Sequence, residues 1–306
     1  VRNRLLDILK VLGGLLAAVV VLVLIVLRVT GAEGPKPPPR SAPAVTPLPA
    51  PISVCDTARG WDRAASLNAR SLQTLRWAPF RRPEVGWQTY LPLIQKEIGS
   101  ACPPQSPGFA AAFAAWQGDR RLFPNGVVSA EAFQHMKGVI QERRAFVMLA
   151  ARGACPPPPP RSWLADARTE EGYAGKPVEV RRGALAAYRD MVRAAKAEAP
   201  EIAGDPRNLT IFSAYRSPVY DAARCVRDGN CDGIRRARCS PHRTGLALDL
   251  YVGQAPGYGP DSTADPNRLH MSRTPTYRWL VANAHRFGFV NYPFEPWHWE
   301  WTGEEP

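Results

Sequence analysis

Histidine is scarce in this chain. Five occur in 306 residues, so a site built on imidazoles has few places to be. Acidic residues are outnumbered, 27 against 39 lysines and arginines, for a formal net charge of +12. A nucleic-acid partner would need that charge gathered beside a recognisable binding motif. Here the charge is dispersed and no such motif occurs, so no nucleic acid is expected. Attraction to anionic lipid or cell-wall polymer is what the balance leaves. Long apolar runs are missing apart from one, and a small-x-small cleavage site is missing after it.

That one run, Val11 to Leu27, is broken only by Gly13 and Gly14, preceded by Arg2, Arg4 and Lys10 and followed by Arg28. About 17 apolar residues is the short end of a membrane span and longer than many signal-peptide cores. Basic residues ahead of the run hold the N-terminus in the cytoplasm and send the rest of the chain across the membrane. Val29-Thr30-Gly31-Ala32 is a poor cleavage site, so residues 1–31 read as an uncleaved single-pass transmembrane anchor, with a cleaved signal peptide as the rival. Six cysteines agree with export, since disulfides persist in an oxidising periplasm. Three lie early (Cys55, Cys102, Cys155) and three late (Cys225, Cys231, Cys239). If all six pair, an odd number of bridges crosses between the trios, and the sequence does not fix which.

Residues 32–53 are rich in proline and read as a stiff, extended spacer. Residues 54–155 read as a mostly helical module. Gly108 to Trp116 places Phe109, Phe113 and Trp116 at helical spacing, and a second helix starts after Ser129, an N-cap, with Phe133 and Met136 on its apolar face. The Asn125-Gly126 turn between them completes a pattern that loosely resembles a peptidoglycan-binding helical module; a generic packing domain is the plainer reading. Pro156 to Pro160 is a second boundary, 156–160. Residues 161–306 suffice for one α+β domain, a small antiparallel sheet flanked by helices. Its expected elements are a helix over 183–199 with Leu185, Tyr188, Met191 and Val192 inward, a strand over 209–215, a strand over 245–252, a helix capped by Thr274-Pro275 and closed by Gly288, and a last strand over 297–301.

Two short stretches of this last region carry chemistry. Ser240-Pro241-His242-Arg243-Thr244-Gly245-Leu246-Ala247-Leu248-Asp249 and Glu295-Pro296-Trp297-His298 together supply two histidines, an aspartate and a nearby glutamate. His242, Asp249 and His298 suit one catalytic Zn2+ ion. Three protein ligands leave a fourth position for water, whereas a structural zinc would use four. Gly245 allows a tight bend or a close approach to the metal. Glu295, in a strand with Pro296, can act as general base and then acid. Arg216 can stabilise an oxyanion. His135, His270 and His285 read as helix-surface or loop residues. Asp228-Gly229-Asn230-Cys231-Asp232-Gly233 resembles the first half of a calcium loop but lacks an acid at its end, where Cys239 stands, so it reads as a turn clamped by a disulfide. Trp297, Trp299 and Trp301 alternate along the last strand as core or cleft wall.

The combined pattern, Ser-x-His-x-x-Gly-x-Ala-x-Asp, then Glu-Pro-Trp-His, with Tyr215-Arg216-Ser217 upstream, resembles the VanY-type D-alanyl-D-alanine carboxypeptidases of the LAS group of zinc peptidases. The resemblance covers about Leu209 to Trp301. It implies zinc on His242, Asp249 and His298, Glu295 as catalytic base, Arg216 polarising the scissile carbonyl, and Ser240 near the substrate; Tyr215 and Trp297 are further candidate substrate contacts, Trp297 being equally a core or cleft-wall residue. The resemblance implies peptidoglycan stem peptides as substrate; the apolar run and the cysteines, taken with it, give the expectation of an inner-membrane protein with its catalytic domain in the periplasm. One departure stands out. Asp221 occupies the neighbourhood where many members carry glutamine, and an acid there fits a terminal substrate carboxylate poorly. Endopeptidase or L,D-carboxypeptidase action on the same site is therefore an alternative. A non-catalytic wall-binding anchor is the alternative of another class, although a pure binder needs neither Glu295 nor Arg216.

Overall fold

The computed structural model describes residues 54–78, 82–150, 157–229, 240–293 and 295–304. The expected anchor (1–31) and spacer (32–53) lie outside the described residues, as does most of the loop from Asn230 to Cys239. Among the described residues no helix is long and apolar enough to cross a membrane.

The first half is helical: α1 (Asp62–Ser71), α2 (Leu91–Glu97), α3 (Pro107–Asp119), α4 (Ala130–Gln141) and α5 (Ala145–Ala150), with a two-residue hairpin, β1 (Arg76–Trp77) on β2 (Glu84–Val85), between α1 and α2. Both sequence-expected helices are present, and the second begins where its Ser129 cap predicts. The Ser106 hydroxyl accepts from the Phe109 amide, and Ser129 from Ala132, each satisfying a donor the helix cannot. Phe109, Phe113 and Trp116 face inward as their spacing requires. The turn between the helices needs its glycine. Gly126 has φ +70°, and a Cβ there would stand 2.6 Å from the Ala110 carbonyl oxygen. Asn68 of α1 holds that turn from below, donating to the Gly126 carbonyl and accepting from the Val128 amide. Cys55 and Cys102 form a disulfide at the root of α3. Cys225 is also disulfide-bonded, to a partner outside the described residues.

The second half opens with a hairpin of β3 (Leu164–Asp166) and β4 (Glu179–Arg181), followed by α6 (Arg182–Glu198) and the single turn α7 (Pro200–Ala203). Then come β5 (Ile211–Ser213), α8 (Pro218–Arg227), β6 (Ala247–Leu250), α9 (Asp265–Met271), α10 (Pro275–Asn283), β7 (Phe289–Asn291) and β8 (His298–Trp301). Four of the strands make one antiparallel sheet in the order β5-β6-β8-β7. The class is α+β, as expected. Thr274 caps α10 through the Tyr277 amide, and Gly288, at φ +82°, ends the short 3-10 turn after that helix.

Three expectations need correction. The strand over 209–215 shrinks to β5, because Leu209 sits at φ +68° and the pairing with β6 shifts register between Ile211 and Ser213. The strand over 245–252 shrinks to β6, whose four residues are all buried rather than alternating; it is an inner strand, covered on both faces. Val192 is only half-buried, the inward stripe of α6 running instead through Leu185, Tyr188, Met191 and Ala195. The strand β7 was not foreseen.

Period-two alternation sorts β6 and β8 into two faces. Leu248, Leu250 and Trp299 look one way, towards Tyr277 of α10, whose ring lies 6.2 Å from that of Trp299. Ala247, Asp249, His298 and Glu300 look the other way. The apolar core runs unbroken from the helical half into the sheet half, from Phe109 and Phe133 through Tyr90 and Tyr277 to Trp299, and Ile52–Pro306 is one compact unit.

Candidate metal centre

The site grows from the pairing of β6 with β8. In that ladder Asp249 stands directly opposite His298, which brings their side chains together on one face. His242 reaches the same point from a 3-10 turn, Pro241–Thr244, just before β6. Gly245 closes that turn at φ +71° and so reverses the chain into β6. A Cβ there would meet Leu164 and Arg181, so its role is the tight bend and not an approach to the metal. The result is a buried triad. The candidate ligand atoms of His242, Asp249 and His298 all lie within 4.8 Å of one another, with His242 Nε2 3.1 Å from one Asp249 oxygen and His298 Nδ1 2.9 Å from the other.

Each imidazole is oriented through its other nitrogen. His242 Nδ1 lies 2.7 Å from the Ala214 carbonyl oxygen. A carbonyl only accepts, so Nδ1 carries the proton and Nε2 presents its lone pair to the triad. His298 Nε2 lies 3.2 Å from Glu300 Oε1, and Nδ1 faces the triad. Two oriented imidazoles and a carboxylate converging within bonding reach of one point are the donor set that zinc takes, and they fit it.

The electrostatics of the two rings differ. Burial and the neighbouring Arg216 cation lower the pKa of His242 to about 4. Burial acts the same way on His298, but hydrogen bonds to Asp249 and Glu300 outweigh it and push its pKa up to about 9. Burial works to raise the Asp249 carboxyl, yet the two imidazoles hold it far below the usual range. Glu295 is raised by burial, against the attraction of His298. A carboxyl raised in this way is readier to hold a proton and hand it on than an ordinary glutamate.

Among the other expected site residues, Arg216 follows β5, its amide bonded to the His242 carbonyl. Its guanidinium lies 3.9 Å from Asp249 and 3.7 Å from Asp221. Glu295 is not in a strand. It occupies a tight turn in which its amide donates to Tyr292 and its carbonyl accepts from His298, because Pro296 has no N–H to offer a ladder. Ser240 is the N-cap of the His242 turn, its hydroxyl accepting from the His242 amide. Tyr215 is half-buried, its amide bonded to the Glu179 carbonyl. Trp297, expected beside substrate, is buried in the core at 3% exposure. The backbone of β6 draws it there, since its carbonyl accepts from the Leu250 amide.

Residues 177–304 match the model of the VanY family, D-alanyl-D-alanine carboxypeptidase. The VanY match includes every one of these site residues and all four strands of the sheet. The helical half lies outside it. A comparison with curated proteins finds no match for the chain.

Sequence reasoning missed three residues that surround the VanY site. Glu300 was legible, because two residues along a strand from His298 is the same face. Arg144 and Asn291 were not: one lies on a distant helical segment, the other on the unforeseen β7.

Proposed function

We propose that the chain is a zinc-dependent peptidoglycan peptidase that removes the terminal D-alanine of stem peptides. The observation that carries this reading is the buried His242–Asp249–His298 triad within a VanY domain. Zinc held there would supply Lewis acidity and bring the pKa of water towards neutrality. Glu295, its carboxyl raised by burial, takes a proton from the attacking water and returns it to the departing amine. Arg216, fixed beside Asp249, faces negative charge developing on the scissile carbonyl oxygen. A membrane anchor and a periplasmic setting belong to the same proposal, supported by the apolar run at Val11–Leu27 and the disulfides. Glycan binding by the helical half is supported by Phe123, which is 80% exposed in the loop between α3 and α4.

Asp221 favours a second reading on the same site. A carboxylate 3.7 Å from Arg216 repels a substrate's terminal carboxylate and suits an internal bond, as in an endopeptidase cutting crosslinks. Mass spectrometry of muropeptides separates the readings. Chelator-sensitive loss of one alanine from pentapeptide stems supports the carboxypeptidase, and crosslinked dimers falling to monomers support the endopeptidase. Glu295→Gln should lower turnover by about 10²–10⁴-fold while zinc stays bound. No chelator-sensitive change on any fragment would overturn the enzyme and leave a wall-binding module.

A further inference from the structure

The side of the metal centre formed by His298 is held by the helical half of the molecule. Glu300 is 1% exposed and Arg144, in the turn between α4 and α5, is 6% exposed. Arg144 grips Glu300 through Nε, at 2.9 Å from Oε1, and through a second guanidinium nitrogen on the same oxygen. The Phe146 amide donates to the other carboxylate oxygen at 2.8 Å. The Arg144 guanidinium also lies 4.1 Å from the centre of the Tyr292 ring, and that ring packs edge-on to His298. A second strap runs parallel to the first. Gln141 of α4 donates to the Asn291 carbonyl, and the Asn291 side chain donates to the His298 carbonyl. Thus a charged acceptor, locked by a bidentate cation and a main-chain amide from outside the VanY match, meets the ring nitrogen of His298 that faces away from the triad.

We infer that Arg144 and Glu300 are positioning residues for the metal centre, fixing His298 with its proton on Nε2 and its Nδ1 lone pair towards the ion. This rests on the zinc reading above. A carboxylate behind a ligating imidazole fixes its tautomer and ring orientation and makes it a better donor. Arg144 is what lets that carboxylate stay buried in one orientation, since an unpaired buried charge would be expelled or neutralised. The helical half is then part of the catalytic machinery and not only an attachment to it.

The test measures zinc affinity in the full chain by competition with a chromogenic chelator, for wild type, Arg144→Met and Glu300→Gln. Metal-free melting temperatures are recorded alongside, with the 15N spectrum of the metal-free histidine side chains taken above the His298 pKa of about 9, where the ring is neutral. Phe113→Ala, a destabilising change in the helical half away from the site, serves as the control. We expect both variants to weaken zinc binding by about 10–100-fold and to lose the single Nε2–H form of His298. The control should melt earlier with unchanged zinc affinity. Wild-type affinity in both variants, whatever their melting temperature, would overturn the inference. Should Arg144→Met not fold, the double variant Arg144→Met/Glu300→Gln removes both charges together, which a core tolerates better than half a pair. Zinc binding by that variant at wild-type strength would overturn the inference equally. A wild-type chain that binds no zinc would instead remove the reading on which it rests.

Discussion

The two histidines of the triad are held by different parts of the molecule. His242 is oriented by the Ala214 carbonyl, 28 residues upstream in the same domain. Its turn is capped by Ser240 and closed by Gly245, and its carbonyl accepts from the Arg216 amide, so every support of this ring lies within the sheet half. His298 is oriented by Glu300, which is itself gripped by Arg144, 156 residues away in sequence. One side of the site is main chain of the same domain. The other is a chain of side chains reaching into the helical half. One domain can thus hold one ligand with its own main chain and still borrow the support of the other ligand from outside itself.

The largest effect should come from the ligands themselves and should be the same on both sides. His242→Ala and His298→Ala are each expected to abolish zinc binding at stoichiometric metal, measured by metal content after gel filtration. Retention of zinc by either variant would break the triad. The next effect concerns the shared core. Phe113 is fully buried in α3, and Phe113→Ala should cost about 3–5 kcal/mol. Because the core is continuous, tryptophan fluorescence and loss of zinc-dependent activity should follow one cooperative transition. Two separated transitions would show that the helical half melts alone and that the His298 side is less dependent on it than the contacts suggest.

The smallest effect belongs to an ion pair of the second half. Arg189 makes two hydrogen bonds to Glu171, at 2.7 and 2.8 Å, beside the hairpin of β3 and β4. These hold the Glu171 carboxyl below its usual value. A carboxyl depressed in the folded state stabilises above the unfolded pKa, and the contribution is lost as pH falls through the folded value. Glu171→Gln should therefore lower the melting temperature slightly near pH 7. The gap to wild type should close as the medium is acidified below about pH 4. A gap that widens on acidification would contradict the sign. The pair is partly exposed, so the effect should be modest.

Much of this was legible beforehand because it is local. Ser129 and Thr274 announce helix starts by a side-chain oxygen that can reach an amide two or three residues on. The His242–Asp249 spacing and the Glu295–His298 step pick out the candidate ligands before any fold is known. The errors have one cause as well. The lengths of β5 and β6 and the turn at Glu295 depend on what lies across the ladder, which periodicity within one segment does not register.

By itself, then, the sequence determined the class, α+β, the identity of the candidate ligands and the residue types that make a hydrolytic site possible, because donor chemistry and capping are properties of side chains and their near neighbours. Only the tertiary structure decided that Asp249 faces His298 across a strand pair, and that Glu300 and Arg144 stand behind that histidine. Strand register and the meeting of Arg144 with Glu300 are set by burying one continuous core, and burial is a property of the whole chain.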